Sequence, residues 1–160
     1  MQKITPFLWF DNNAQEAMKF YTSVFKDSSI GEVTMYNDAV AKMSGLPEGT
    51  MMTATFNILG QQFMVLNGGP TFKFTEAISF FVSCEDQEEV DYYWNALTQN
   101  GGEESQCGWL KDKFGLSWQI VPKQLGQYLG NPDPVKANKA MEAMLKMHKL
   151  DIQVFEKAIE

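Results

Sequence analysis

Apolar positions change period several times along the chain, and each change predicts an element. Lys3–Phe10 (KITPFLWF) is almost continuously apolar and aromatic, which predicts a strand. From Asn13 onward the spacing turns helical. Ala17, Phe20, Tyr21, Val24 and Phe25 recur three and four apart, so Ala14–Phe25 is expected to be an amphipathic helix. Asn13 stands at its N-cap with Glu16 three residues on, a variant of the capping box. Glu32–Tyr36, Met51–Leu59 and Gln62–Leu66 read as strands, the last two joined by a tight turn at Gly60. Between the first two lies NDAVAKMSGLPEGT, whose Gly, Pro and Ser content predicts an exposed loop.

The pattern then recurs. Ala77–Cys84 (AISFFVSC) is another buried-type strand, and Asp86 caps a second helix with Glu89 three residues on. Val90, Tyr93, Trp94 and Leu97 form its apolar stripe. A shift of about 73 residues lays Asn13 on Asp86, Glu16 on Glu89, Ala17 on Val90, Tyr21 on Trp94 and Val24 on Leu97. A shift of about 55 lays Gly60 on Gly115 and Met64 on Gln119, the difference being the long loop of the first copy. The chain is therefore expected to be a duplicated β-α-β-β-β unit: an α+β fold with modules at 1–70 and 71–125, and a helical tail at 126–160, in one integrated domain. In the tail, Asp133-Pro134 is an N-cap with proline at the first helical position. Val135, Ala140, Met141, Met144 and Leu145 follow at helical spacing, and Asp151 caps a last helix bearing Ile152, Phe155 and Ile159. The tail is expected to pack on the body or on a second subunit.

Composition narrows the partners. At 160 residues with 44% hydrophobic and 21% charged positions, the chain can bury a real core and has the balance of a soluble globular protein. A net charge of -7 argues against a nucleic-acid partner, which needs a basic footprint. No apolar run approaches the roughly 20 residues that a bilayer requires, and no signal-peptide pattern is present, so no membrane partner is expected. Cys84 and Cys107 fit neither a zinc pattern nor a disulfide framework, which points to a reduced, cytoplasmic setting. Twelve phenylalanines and ten methionines can fill a core or line an adaptable apolar cleft, and some could do both.

Specific runs carry a resemblance. TPFLWFDNNAQEAMKFY, FMVLNGGP, AISFFVSCEDQEEVDYYW, CGWLKDKFGLSWQIVP and KAMEAMLKMHKLDI resemble the PhnB-like branch of the vicinal oxygen chelate superfamily, which includes glyoxalase I and the bleomycin-resistance proteins. That branch often carries the label 3-demethylubiquinone-9 3-methyltransferase. The resemblance extends from about Lys3 to the C-terminus, and KDKFGLSWQIVP is its most specific part. It implies two curled mixed sheets around a cleft, plus C-terminal helices. Methyl transfer finds no support in the residues, because no Gly-rich turn follows a first strand with an acidic residue about twenty positions on.

In the superfamily, inward side chains of paired strands hold a divalent metal through His and Glu, leaving open positions that polarise vicinal substrate oxygens. Here the first-strand slot falls at Thr5 or Pro6, depending on register, the fifth-strand slot at Ser79 and the eighth-strand slot at Gln119, whose partner in the first copy is Met64. Proline and methionine cannot replace His or Glu for a hard cation, and serine and glutamine are weak neutral ligands. No metal and no cofactor are therefore expected. The lone His148 sits in the tail, where a surface role suits it. Gln119 reads either as a polar group orienting a neutral ligand or as the partner of a buried backbone group. Strand alternation places Phe81, Met64, Leu66 and Leu8 with Ser79 and Gln119, while Ile78, Phe80, Trp118 and Ile120 back onto the helices. Cys107 and Trp109 are assigned to one face of the preceding strand, with Cys107 more simply structural than nucleophilic.

The ligand-binding cleft predicted from sequence thus comprises Gln119, Ser79, Phe81, Met64, Leu8, Cys107 and Trp109. The expected function is binding of a small apolar or aromatic molecule by a homodimer. The competing reading is an enzyme, either a metal-dependent glyoxalase or dioxygenase type or the methyltransferase of the family label. It would need ligands from Asp11, Asn67 or Asp112.

Overall fold

A computed structural model describes residues 2–160 and divides them into two compact units, one ending at Lys73 and the other running from Phe74 to Glu160. The first unit holds β1 (Phe7–Phe10), α1 (Ala14–Val24), β2 (Ser28–Met35), α2 (Asp38–Ser44), β3 (Met51–Ile58) and β4 (Gln61–Asn67). The second holds β5 (Ser79–Cys84), α3 (Gln87–Thr98), β6 (Glu103–Glu104), β7 (Trp109–Lys111) and β8 (Ser117–Pro122), then α4 (Leu125–Leu129), α5 (Pro134–Met144) and α6 (Ile152–Ile159). The sheets repeat one plan, β1-β4-β3-β2 and β5-β8-β7-β6. In each, the first strand runs parallel to the last and the remaining pairs are antiparallel. The duplicated βαβββ architecture is present as expected.

Each sheet buries one face under a helix. In the first unit, Ala14, Ala17, Met18, Tyr21 and Val24 of α1 are buried on the side of Leu8, Phe10, Ala54, Phe56, Phe63 and Val65. Tyr21 stacks on Phe56 at 6.0 Å and Phe56 on Phe63 at 5.1 Å, so aromatic rings link helix to sheet. In the second unit, Val90, Tyr93, Trp94 and Leu97 of α3 are buried on the side of Val82, Leu110, Trp118 and Ile120. The two helical stripes are those the sequence spacing predicts.

Three features depart from expectation. The presumed loop after Tyr36 contains α2, capped by Asn37, whose Oδ1 accepts from Val40 N at 3.1 Å, and closed by Gly45 at φ 74°. An Asn cap and a left-handed Gly bracket a helix as clearly as they mark a turn. Ile78, expected to back onto α3, precedes β5 and is exposed. The strands of the two copies also align one residue away from the alignment of their helices. Phe10 O accepts from Gly68 N as Cys84 O accepts from Lys123 N, so Phe10 matches Cys84, whereas the helix shift would lay it on Ser83. The segment between strand end and N-cap is one residue shorter in the second copy. By this register Leu8 matches Val82, and Thr5 rather than Pro6 matches Ser79.

The tail packs on the second unit. Val121, Tyr128, Ala140, Met147, Leu150 and Phe155 form its buried cluster, with Tyr128 stacked on Phe155 at 5.2 Å. Polar contacts fix its course. Gln87 donates to Leu150 O and accepts from Ile152 N, and Cys107 N and Gly108 N donate to Met147 O and His148 O. No helix among the described residues is long and apolar enough to cross a membrane.

Candidate functional site

The polar and aromatic candidates gather on the face of the second sheet away from α3. Because strand partners lie side by side on one face, the register puts Phe81, Gln119 and Trp109 in one row across three strands. The next row contains Ser79, Ser117, Lys111 and Glu103. Gln119 Nε2 donates to Ser79 Oγ at 2.9 Å, tying the two rows together. Phe81 is 60% exposed, and Gln119 and Trp109 are half-buried. Ser117 is buried, and its Oγ has no hydrogen-bond partner. Lys111 bridges Glu76 at 3.1 Å and Glu103 at 3.3 Å. Those hydrogen bonds, led by the one from Glu76, raise the Lys111 ammonium above its ordinary range. The Glu76 carboxyl is held below its own range, first by a backbone hydrogen bond and then by Lys111.

Five of the seven predicted cleft residues lie on the open faces, and two do not. Ser79, Phe81, Trp109 and Gln119 share the open face of the second sheet, and Met64 stands on the corresponding face of the first. Leu8 is on the opposite, helix-covered face, paired with Val65 and buried. Its assignment is corrected by the one-residue difference in strand register, since such a slip exchanges the two faces of a strand. Cys107 is not on a strand with Trp109. It occupies the turn before β7 at φ 58°, and its Sγ approaches Met144 O at 3.6 Å, so the tail claims it. Sequence reasoning missed Phe7, which pairs with Met64 and is 51% exposed, and Trp9, which pairs with Leu66. Aligning strand ends instead of helix caps would have laid Phe7 on Phe81. Trp9 donates from Nε1 to Gly69 O and meets Phe72 edge-on at 5.0 Å. Gly68 is required beneath it, because a Cβ there would lie 2.3 Å from the indole ring.

A divalent metal is what the resemblance implies for these slots, and the residues present do not fit one. Thr5, Met64, Ser79 and Gln119 supply neither imidazole nor carboxylate, and the Met64 thioether is a poor ligand for a hard cation. Two of the alternative oxygen ligands have structural duties. Asn67 Oδ1 accepts from Ala14 N and its Nδ2 donates to Met51 O, both at 3.0 Å. Asp112 is buried and accepts from Phe114 N, Leu116 N and Trp118 Nε1. Asp11 stands exposed just past β1. Among the described residues, no three of His, Cys, Asp and Glu gather closely enough to hold a metal ion. His148 joins the tail to the preceding loop, with Nδ1 2.9 Å from Ser105 O.

Paired βαβββ modules, parallel at their first and last strands and helix-covered on one face, are the fold of the glyoxalase/bleomycin-resistance proteins. Residues 2–121 match the 3-demethylubiquinone-9 3-methyltransferase family, and the chain belongs to this PhnB-like family. It is similar to a PhnB protein of Bacillus cereus named for the same methyltransferase, with 39% identity over 76% of this chain and 99% of that one, at a TM-score of 0.67. A Pseudomonas aeruginosa protein shares the fold at 20% identity and a TM-score of 0.56, covering 77% of this chain and 98% of that one. So does a fosfomycin-resistance protein of Listeria monocytogenes solved with Mn(II) and sulfate, at 14% identity and a TM-score of 0.51, covering 81% of this chain and 97% of that one. Comparison with curated proteins finds no match.

Proposed function

We propose that this chain binds a small aromatic or amphipathic molecule on the open face of its second sheet, without a metal. The observation that carries this reading is the row Phe81–Gln119–Trp109, a polar amide between two accessible aromatic side chains. Concave, mostly apolar surfaces bearing a few polar groups are the usual small-molecule sites, and a curled sheet supplies such a surface. Gln119 gives its N–H to Ser79 and retains a carbonyl oxygen that can accept from a ligand.

The test is a titration of 2-naphthamide followed by tryptophan emission. Binding should be saturable, and Gln119→Leu and Trp109→Ala should each weaken it. A linear, non-saturable response in the wild-type protein would overturn the reading. The competing activity is the one in the family's name. A melt with S-adenosylmethionine tests it, and a saturable stabilisation would move the enzyme reading ahead.

We further propose that the protein acts as a cytoplasmic homodimer. Its two free thiols suit a reducing compartment. Met141 in the last turn of α5 and Leu145 at its C-cap, one turn apart, are 41% and 61% exposed, as expected of a surface that a second copy covers. Sedimentation equilibrium should give twice 18.2 kDa, and a monomer at all practical concentrations would exclude the dimer.

A further inference from the structure

The row beside the aromatic pair holds an unmet hydrogen-bonding demand. Ser117 is 1% exposed, and its hydroxyl is without a partner. A buried hydroxyl left unpaired is unfavourable, so such a group needs an explanation. Register sets Ser117 between Ser79 on one side and Lys111 on the other, all on the face away from α3 and each roughly 5 Å from the next across the sheet. The hydrogen-bonding inventory of this row is rich in donors. Ser79 accepts from Gln119, which leaves its own O–H to donate. Ser117 has a free O–H, and an ammonium carries three donors, of which Glu76 and Glu103 engage two.

The two glutamates do not remove this demand. Their side chains are 64% and 70% exposed, so water disperses their charge, whereas the Lys111 side chain is 34% exposed. Exposed ion pairs of this kind are weak and exchange readily. An oxyanion inserted into this row would find two hydroxyl donors and the Lys111 ammonium as neighbours across the strands. A planar carboxylate matches that row in size and in its demand for several donors.

Resting on the binding surface proposed above, we infer that the ligand is an aromatic carboxylic acid. Its ring lies by Phe81 and Trp109, and its carboxylate is received by Lys111, Ser117 and Ser79. Gln119, in the aromatic row and bonded to Ser79 of the next, meets the ligand where ring and carboxylate join.

Calorimetric titration of the full chain with 2-naphthoate and with the matched 2-naphthamide tests this. The acid should bind about tenfold more tightly than the amide, as expected for a charge-assisted contact. Lys111→Met should abolish the preference for the acid over the amide, and Lys111→Arg should retain it. Ser117→Ala should weaken the acid several-fold more than the amide. Melting curves of each variant separate loss of recognition from loss of fold. An acid that binds no more tightly than its amide, or a preference that survives Lys111→Met, overturns the inference and leaves the binding surface standing. Binding of neither probe overturns both.

Discussion

The two units fold the same way but solve the same local problems with different means. Helix α1 has Asn13 at its N-cap with no side-chain cap bond, and the Ala14 N–H is instead met by Asn67, from the end of β4. Helix α3 caps itself, with Asp86 accepting from Glu89 N and the Glu89 carboxylate accepting from Glu85 N. At the position matching Asn67 the second unit has Pro122, which has no side-chain amide to lend. One cap is tertiary and the other local. The open faces differ in the same spirit. The first presents Phe7, Trp9, Met64 and Leu66 beside Thr34, Thr53 and Thr55, while the second sets Gln119, Ser79, Ser117 and the charged Lys111 beside its aromatics. The two copies thus share a helix-covered apolar face and differ in what the other face presents.

Four experiments bear on this comparison. Only the second unit carries the helical tail, and Phe155 is fully buried at its centre. Phe155→Ala should cost about 3–5 kcal/mol, and denaturation monitored by hydrogen exchange should locate the loss in residues 74–160. Asn67→Leu should cost about 2–5 kcal/mol, because a buried N–H and a buried carbonyl both lose their partners. Asp86→Ala should cost only about 1 kcal/mol, the usual worth of a local cap. Equal losses from these two in urea titrations would erase the distinction between tertiary and local capping.

The third experiment exploits Cys84, where the first unit has Phe10. Burial, aided by the nearby Glu89 charge, pushes the Cys84 thiol up to about 12. The unfolded chain ionises this thiol first, so the associated stability is present below about pH 9 and declines as pH rises towards 12. Burial raises Tyr93 and Tyr128 in the same direction. Melts between pH 8 and 11 should therefore show a smaller alkaline loss for Cys84→Val than for the wild type, with some loss remaining. Native Cys84 should also resist alkylation at pH 8. The smallest stability effect is expected from Gln119→Leu, within about 1 kcal/mol, since the lost bond to Ser79 is only part-buried. Its affinity for 2-naphthamide should fall nonetheless. A variant that unfolds readily would make Gln119 structural, as Asn67 is in the first unit.

Much of the architecture could be read from local signals. The duplication, both amphipathic helices, the caps at Asp86, Asp133 and Asp151 and the strand KITPFLWF through its second half depend on neighbours within a few residues, which the chain displays directly. The open-face row was partly legible too, because Phe81, Gln119 and Trp109 follow from alternation once the strands are drawn. Helix α2 was missed although Asn37 and Gly45 announce it, because the same residues also make turns.

What the sequence determined by itself is the period of each segment, the start and stop of most helices and the absence of His and Glu from the superfamily's metal slots. These are properties of residue identity and short spacing. Tertiary structure alone decided which face β1 presents and which distant group satisfies each buried one. Leu8 changed faces because one fewer residue joins strand to helix in the second copy, and a strand's two faces alternate at every position. Cys107 left the sheet because the tail returned to meet its turn. Asn67 became a cap for a helix 53 residues away because pairing of β1 with β4 brings the end of one strand to the start of α1. Register and long-range pairing are set by the whole packed core, and no short window of the chain contains them.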